Sequence, residues 1–175
     1  MIIPDVVKKA VPKTPEDNQY YRHAEDAYQI LSKVYSGDID YCSDFVAMAA
    51  NTLERYYKAV LSEQKDIKPQ SSLSYLMEHS HNIKDLVNHI EGDGTTKVFN
   101  CHTRQDYYNR DCFLKELQRF YTTSRYTVQV PFSDFKDIFD VLTTQRETVI
   151  HLLGLDEKEK NIEDYEREDD DYGLD

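Results

Sequence analysis

Long apolar runs are missing from this chain: the longest covers only residues 45–50, far short of the ~20 residues that cross a bilayer. The opening Met1-Ile2-Ile3-Pro4-Asp5 has neither a basic start nor an extended apolar stretch, so no secretory leader is expected. Cysteine is scarce as well. The three present, Cys42, Cys101 and Cys112, are odd in number and form no C-x2-C pair, which fits a reducing compartment and leads us to expect a cytoplasmic protein. Glycine-rich phosphate loops and G-x-S-x-G elbows do not occur. With only 5 glycines among 175 residues and 31% charged residues, a loop-rich all-β design is disfavoured and helix is the natural reading. That length suits one domain with a little to spare, and it is enough to bury a core without metal or disulfide staples.

The charge is plentiful but unevenly placed. The net −12 is concentrated in residues 156–175, where 11 Asp/Glu face 3 Lys/Arg and leave −8; the other 155 residues carry −4. A like-charge, weakly hydrophobic segment of this kind is expected to be a disordered acidic tail. Phosphate contact needs local positive potential, so any nucleotide or RNA site has to occupy a local patch.

Periodicity divides the rest. Residues 1–13 read as a flexible arm around Lys8-Lys9, between Pro4 and Pro12. Thr14-Pro15-Glu16-Asp17 has the form of a helix start, with Thr as cap and Pro at the first helical position. Tyr20, Ala24, Ala27, Tyr28, Leu31 and Val34 follow at helical spacing until Gly37. A second helix is expected from about Asp38 or Asp40, with the stripe Tyr41, Phe45, Ala49, Leu53, Tyr57 and Val60-Leu61, ending before residues 65–69. Residues 72–78 suggest a short helical turn, and Asn82 is placed to cap a segment carrying Ile83, Leu86, Val87 and Ile90. A helix over about 104–121 and a last one, capped by Ser133 and reaching about Leu153, complete the pattern. The expected fold is all-α: an antiparallel bundle of four long helices and one or two short ones over residues 14–155.

Two arginines break the apolar faces. In the last helix Phe135, Ile138, Phe139, Leu142, Val149, Ile150 and Leu153 share an arc of about 120° with Arg146 in its middle, at about 100° per residue. In the helix before it, Arg110 lies among Tyr107, Leu114, Leu117 and Tyr121. Each arginine either snorkels or pairs with a core-edge acid such as Glu54, or it serves an anion site or a dimer face. The second possibility leads to an expected homodimer. Arg146 also opens an R-x4-H string ending at His151. Arginine can stabilise phosphorane charge and histidine can move a proton, the two needs of metal-free RNA cleavage, although five residues of straight helix turn the two side chains about 140° apart.

Between residues 104 and 125 five Lys/Arg outnumber three Asp/Glu, interleaved with tyrosine and phenylalanine. Arg104, Arg110, Lys115, Arg119, Arg125 and Tyr126 are therefore the candidate nucleotide or single-stranded RNA contacts, against a solvated, self-paired face as the plain alternative. His79, His81, His89 and His102 have no metal-pair spacing and read as loop and cap positions; no metal or other cofactor is expected.

Three segments resemble the HEPN superfamily (higher eukaryote and prokaryote nucleotide-binding domain) across about residues 22–154. Ala49-Ala50-Asn51-Thr52-Leu53-Glu54-Arg55-Tyr56-Tyr57-Lys58-Ala59-Val60-Leu61 is similar to the family's A-x-E-K-x-x-K-A-L-L pattern. Ser80-His81-Asn82-Ile83-Lys84-Asp85-Leu86 looks like its S-H-D-L-x-x-L segment. Tyr121-Thr122-Thr123-Ser124-Arg125-Tyr126 looks like its Y-x-x-S-R-Y-P turn, with Thr127 in the proline's place. The resemblance implies a helical bundle and a nucleotide- or RNA-related role in a toxin–antitoxin or defence module. Members with that turn act beside nucleotidyltransferase-like partners. Ribonuclease members carry R-x4–6-H, matched in spacing by Arg146 and His151, with Glu147 where Asn, Asp or His commonly follows the arginine. A helical protein-interaction adaptor is the remaining reading, one that the 14 tyrosines suit.

Overall fold

The computed structural model describes residues 18–63, 81–93, 98, 118–119 and 129–155. The expected arm, the 72–78 turn, most of the 104–121 helix and the acidic tail lie outside the described residues. The described part is all-α, with helices α1 (Gln19–Ser36), α2 (Asp44–Glu63), α3 (Ile83–Ile90) and α4 (Phe132–Leu152), and a 3-10 turn, Glu91–Asp93, after α3. Gln118 and Arg119 are helical too.

α1 is capped by Asn18; the expected start at Thr14-Pro15-Glu16-Asp17 lies outside the described residues. The Asn18 Oδ1 accepts from the Tyr21 N–H at 3.1 Å, as an N-cap should. Its Nδ2 meets the Ala59 carbonyl, Ser62 Oγ and Glu63 Oε1 at 2.9–3.2 Å. One side chain therefore starts α1 and ties it to the end of α2, a tertiary contact that local sequence does not show. Gly37, at φ 88°, stops α1, a left-handed position that glycine takes without a Cβ clash.

α2 begins later than Asp38 or Asp40 because the chain between is spent on the turn. The Asp38 N–H bonds the Lys33 carbonyl at 2.8 Å. Tyr41 donates its hydroxyl to the Val130 carbonyl at 2.6 Å, and Ser43 Oγ accepts from the Val130 N–H at 3.0 Å. α4 likewise starts from Pro131, with no side-chain cap. Ser133, the expected cap, falls inside the first turn, because Pro131 supplies the fixed φ and its carbonyl already accepts the Asp134 and Phe135 N–H groups.

Contacts set the directions. Asn18 at the start of α1 meets the end of α2, and Glu25 and Tyr35 of α1 meet Arg146 and Phe139 of α4. α1 therefore runs antiparallel to both α2 and α4. α2 and α4 run parallel, with Ser43 beside Val130 at one end and Tyr57 bonded to Gln145 further along. α2 is the central helix, packed by α1, α3 and α4. From Thr52 to Leu61 all its side chains are buried except Arg55, which explains how Glu54 and Lys58 come to lie inside. α3 turns the stripe Ile83, Leu86, Val87 and Ile90 into the core, each at most 1% exposed, and each worth about 1.5–3 kcal/mol of burial. Asn82 caps it by accepting from the Lys84 and Asp85 N–H groups. No helix among the described residues is long and apolar enough to cross a membrane.

Candidate functional site

Two charged clusters lie on different sides of α2. The first joins α1, α2 and α4. Glu25 sits one turn after Tyr21 and one turn before Tyr28, so the three share a face of α1. Arg146 grips Glu25 in a fork: Nε donates to Oε1 at 2.7 Å and Nη2 to Oε2 at 2.8 Å. The Tyr56 hydroxyl donates to the same Oε1 at 2.6 Å. The guanidinium lies 4.8 Å from the centre of the Tyr28 ring, a cation–π distance, while the Tyr28 hydroxyl meets Thr143 Oγ1 at 3.0 Å. Side chains of Arg146 and Glu25 are 26% and 21% exposed, so the clamp is half-buried.

The electrostatics follow from this packing. The bond to Glu25 raises the Arg146 pKa against the opposing effect of burial, so the arginine stays charged. Burial, and then the bond to Glu25, push the Tyr56 hydroxyl above its usual range, so it stays a neutral donor. The acid that Arg146 finds is Glu25, not Glu54. The demand of an apolar-face arginine for a partner is met within one chain.

Glu54 belongs to the second cluster. Its Oε1 accepts from Lys58 Nζ at 2.7 Å, in the favourable Glu-before-Lys order one helical turn apart. The side chains are only 7% and 6% exposed, which makes this a buried ion pair. The same oxygen lies 3.1 Å from Nδ1 of His81, whose side chain is 63% exposed. His81 directly precedes Asn82, the cap of α3. The Ile83 N–H, two residues on, donates to Gln118 Oε1 at 3.1 Å. This bond seats the turn carrying Gln118 and the exposed Arg119 against the start of α3. His81 and Lys84 flank the start of α3, and Arg119 follows Gln118 in the segment bonded to it.

The expected site residues fare unequally. Arg146 is committed to Glu25. His151 is exposed in the last turn of α4, and the helix between the two is unbroken, so they leave it about 140° apart. Arg119 is exposed on the α3 edge; Arg104, Arg110, Lys115, Arg125 and Tyr126 lie outside the described residues. No group of three or more His, Cys, Asp or Glu side chains able to hold a metal occurs among the described residues. Sequence reasoning missed His81 as anything beyond a loop or cap residue. The Glu54–Lys58 spacing was visible; its burial and its bond to a histidine 27 positions away were not. Comparison with protein-family models, with curated proteins and with solved structures gives no match.

Proposed function

We propose that this chain is a HEPN-like RNA- or nucleotide-binding bundle, whose ligand phosphates are met at the α3 edge by Arg119 with Lys84 and His81. The observation that carries the reading is the Ile83–Gln118 hydrogen bond. Through it Gln118, within the segment singled out by sequence as basic and aromatic, meets the helix start that resembles the S-H-D-L motif. Local cationic potential of this kind is what an otherwise acidic chain needs to attract a phosphate backbone. The resemblance further supports a cytoplasmic place in a toxin–antitoxin or defence module beside a nucleotidyltransferase-like partner.

The Glu25 clamp supports assigning Arg146 to holding α4 against α1. Its Nε and Nη2 are already bonded to the carboxylate, and His151 points elsewhere. The test is a fluorescence-anisotropy titration of a labelled single-stranded RNA 12-mer, and of a labelled adenine nucleotide, with the full chain at two salt concentrations. Saturable binding that weakens with salt, and weakens about tenfold or more in Arg119→Glu, is expected. Absence of binding to either probe would defeat the reading.

A further inference from the structure

We infer that the aromatic shelf formed by Tyr35 and Phe132, covered in this structure by the ammonium of Lys136, is a docking seat for an arginine-bearing segment of a partner protein. The seat is built by α1, α4 and the turn before α2, while the α3 edge is built by α2, α3 and the Gln118 segment. The inference therefore stands apart from the RNA reading.

The argument starts from rings that are exposed yet fixed. Phe132 opens α4 and is 37% exposed. Its ring stacks on buried Phe135 at 5.8 Å and 16°, and it meets Tyr41 at 5.2 Å. Tyr41 is itself held by its bond to the Val130 carbonyl. Tyr35, at the end of α1, is braced in the same way, with its ring 4.8 Å from that of buried Phe139. Lys136 Nζ lies 5.2 Å from the centre of the Tyr35 ring and 5.3 Å from that of Phe132. Both are cation–π distances, so two rings from two helices share one cation. The rings are anchored in the core, whereas Lys136 is exposed and sits on a flexible four-carbon stem. The occupant can leave; the seat stays.

Charge identifies the occupant. The segments that build this end, residues 33–44 and 131–140, carry Asp38, Asp40, Asp44, Asp134, Asp137 and Asp140 against Lys33 and Lys136, a net of −4. Asp140 lies close enough to the Tyr35 hydroxyl to raise its pKa, by hydrogen bonding and then by charge. An excess of acid repels a phosphate backbone and attracts cations. The shelf is open, and a single exposed cation–ring contact gains only about two- to fivefold in affinity, too little to hold a small ammonium alone. A polypeptide sets several cations against several aspartates at once. Arginine is the side chain suited to take the lysine's place, because its planar guanidinium stacks on aromatic faces and is more weakly hydrated than an ammonium.

The experiment titrates the full chain with a fluorescein-labelled peptide of alternating glycine and arginine, and with the same peptide carrying neutral citrulline for arginine. Anisotropy gives the affinity. Proton NMR reads the Lys136 side-chain methylenes, which the two rings hold upfield. We expect the arginine peptide alone to bind, and the Lys136 methylenes to move downfield as it does. Phe132→Ala and Phe132→Leu leave the charge unchanged and should keep the circular dichroism spectrum. Each should weaken binding about fivefold or more. Lys136→Gln, which vacates the rings, should tighten binding more than Lys33→Gln, an equal change of charge. Affinity unaltered in both Phe132 variants, or Lys136 unmoved while residues 156–175 shift, would mean attraction to the acidic tail alone and overturn the inference. Equal binding of the citrulline peptide, or binding of neither peptide, would overturn it as well.

Discussion

Glu25 and Glu54 are both glutamates that hold a cation against the core of one bundle, yet they do opposite things. Glu25 is a bridge between helices. Its two oxygens take Arg146 from α4, one of them takes Tyr56 from α2, and Tyr28 covers the guanidinium. Nε and Nη2 of Arg146 and the Tyr56 hydroxyl are all spent on that one carboxylate. Glu54 pairs within its own helix, and its second contact is an imidazole that stands mostly in water. A charged group on an apolar face is therefore no guide to chemistry by itself. The informative feature is whether the cluster leaves a titratable atom facing solvent. The Glu25 cluster leaves none that is basic near neutral pH, since Arg146 and Tyr56 are both shifted upward. The Glu54 cluster leaves the largely exposed imidazole of His81.

The comparison breaks most visibly in stability. Glu54→Ala strands Lys58 as an unpaired buried cation and should cost about 3–5 kcal/mol in urea unfolding, whereas replacing both residues by Met should recover most of that loss. Arg146→Ala should cost less, about 1.5–3 kcal/mol, because Glu25 is partly reached by water. If the order is reversed, the buried pair is not the tighter constraint. Arg146→Lys keeps the charge but loses the fork and the flat stack on Tyr28, so it should recover only part of the loss.

Alkali separates the clusters further. The Tyr56 hydroxyl is held above its usual value in the folded chain, while in the unfolded chain it titrates near pH ~10. A raised folded pKa means that the stabilisation is complete below that pH and is lost as pH rises past it. Wild type should therefore lose stability between about pH 10 and 12 more steeply than Tyr56→Phe, by up to ~1.4 kcal/mol per pH unit. Parallel slopes would show that Tyr56 ionises freely. The smallest effect is expected for His81→Ala, about 0.5 kcal/mol or less, because its side chain is largely exposed. A large loss there would make the histidine a structural strut.

Much of the fold was legible because burial repeats at helical spacing. The stripe of α3, the Asn82 cap, the Gly37 stop and the Phe135–Val149 face of α4 all follow from side-chain type and position. The starts were harder. Asn18 caps α1 through partners that are distant in sequence, and Pro131 outcompetes Ser133 through a fixed φ that needs no capping hydroxyl. The site was legible only in part. Arg146 announced itself as a misfit on an apolar arc, but its partner lies 121 positions away on α1, and Glu25 looks like any exposed helical acid. His81 carries no spacing signal at all. Its meaning depends on a helix that is buried nearly all round, a property of α2's three neighbours and not of its own sequence.

The central claim is that ligand chemistry belongs to the α3 edge and that the Glu25–Arg146 cluster only holds the helices together. Amide NMR of the full chain, titrated with single-stranded RNA, tests it most directly. The account predicts shift changes concentrated at residues 81–85, Arg55, Gln118 and Arg119, with Glu25, Tyr28 and Arg146 undisturbed. Changes centred on Arg146 and His151 with a quiet α3 edge would contradict it.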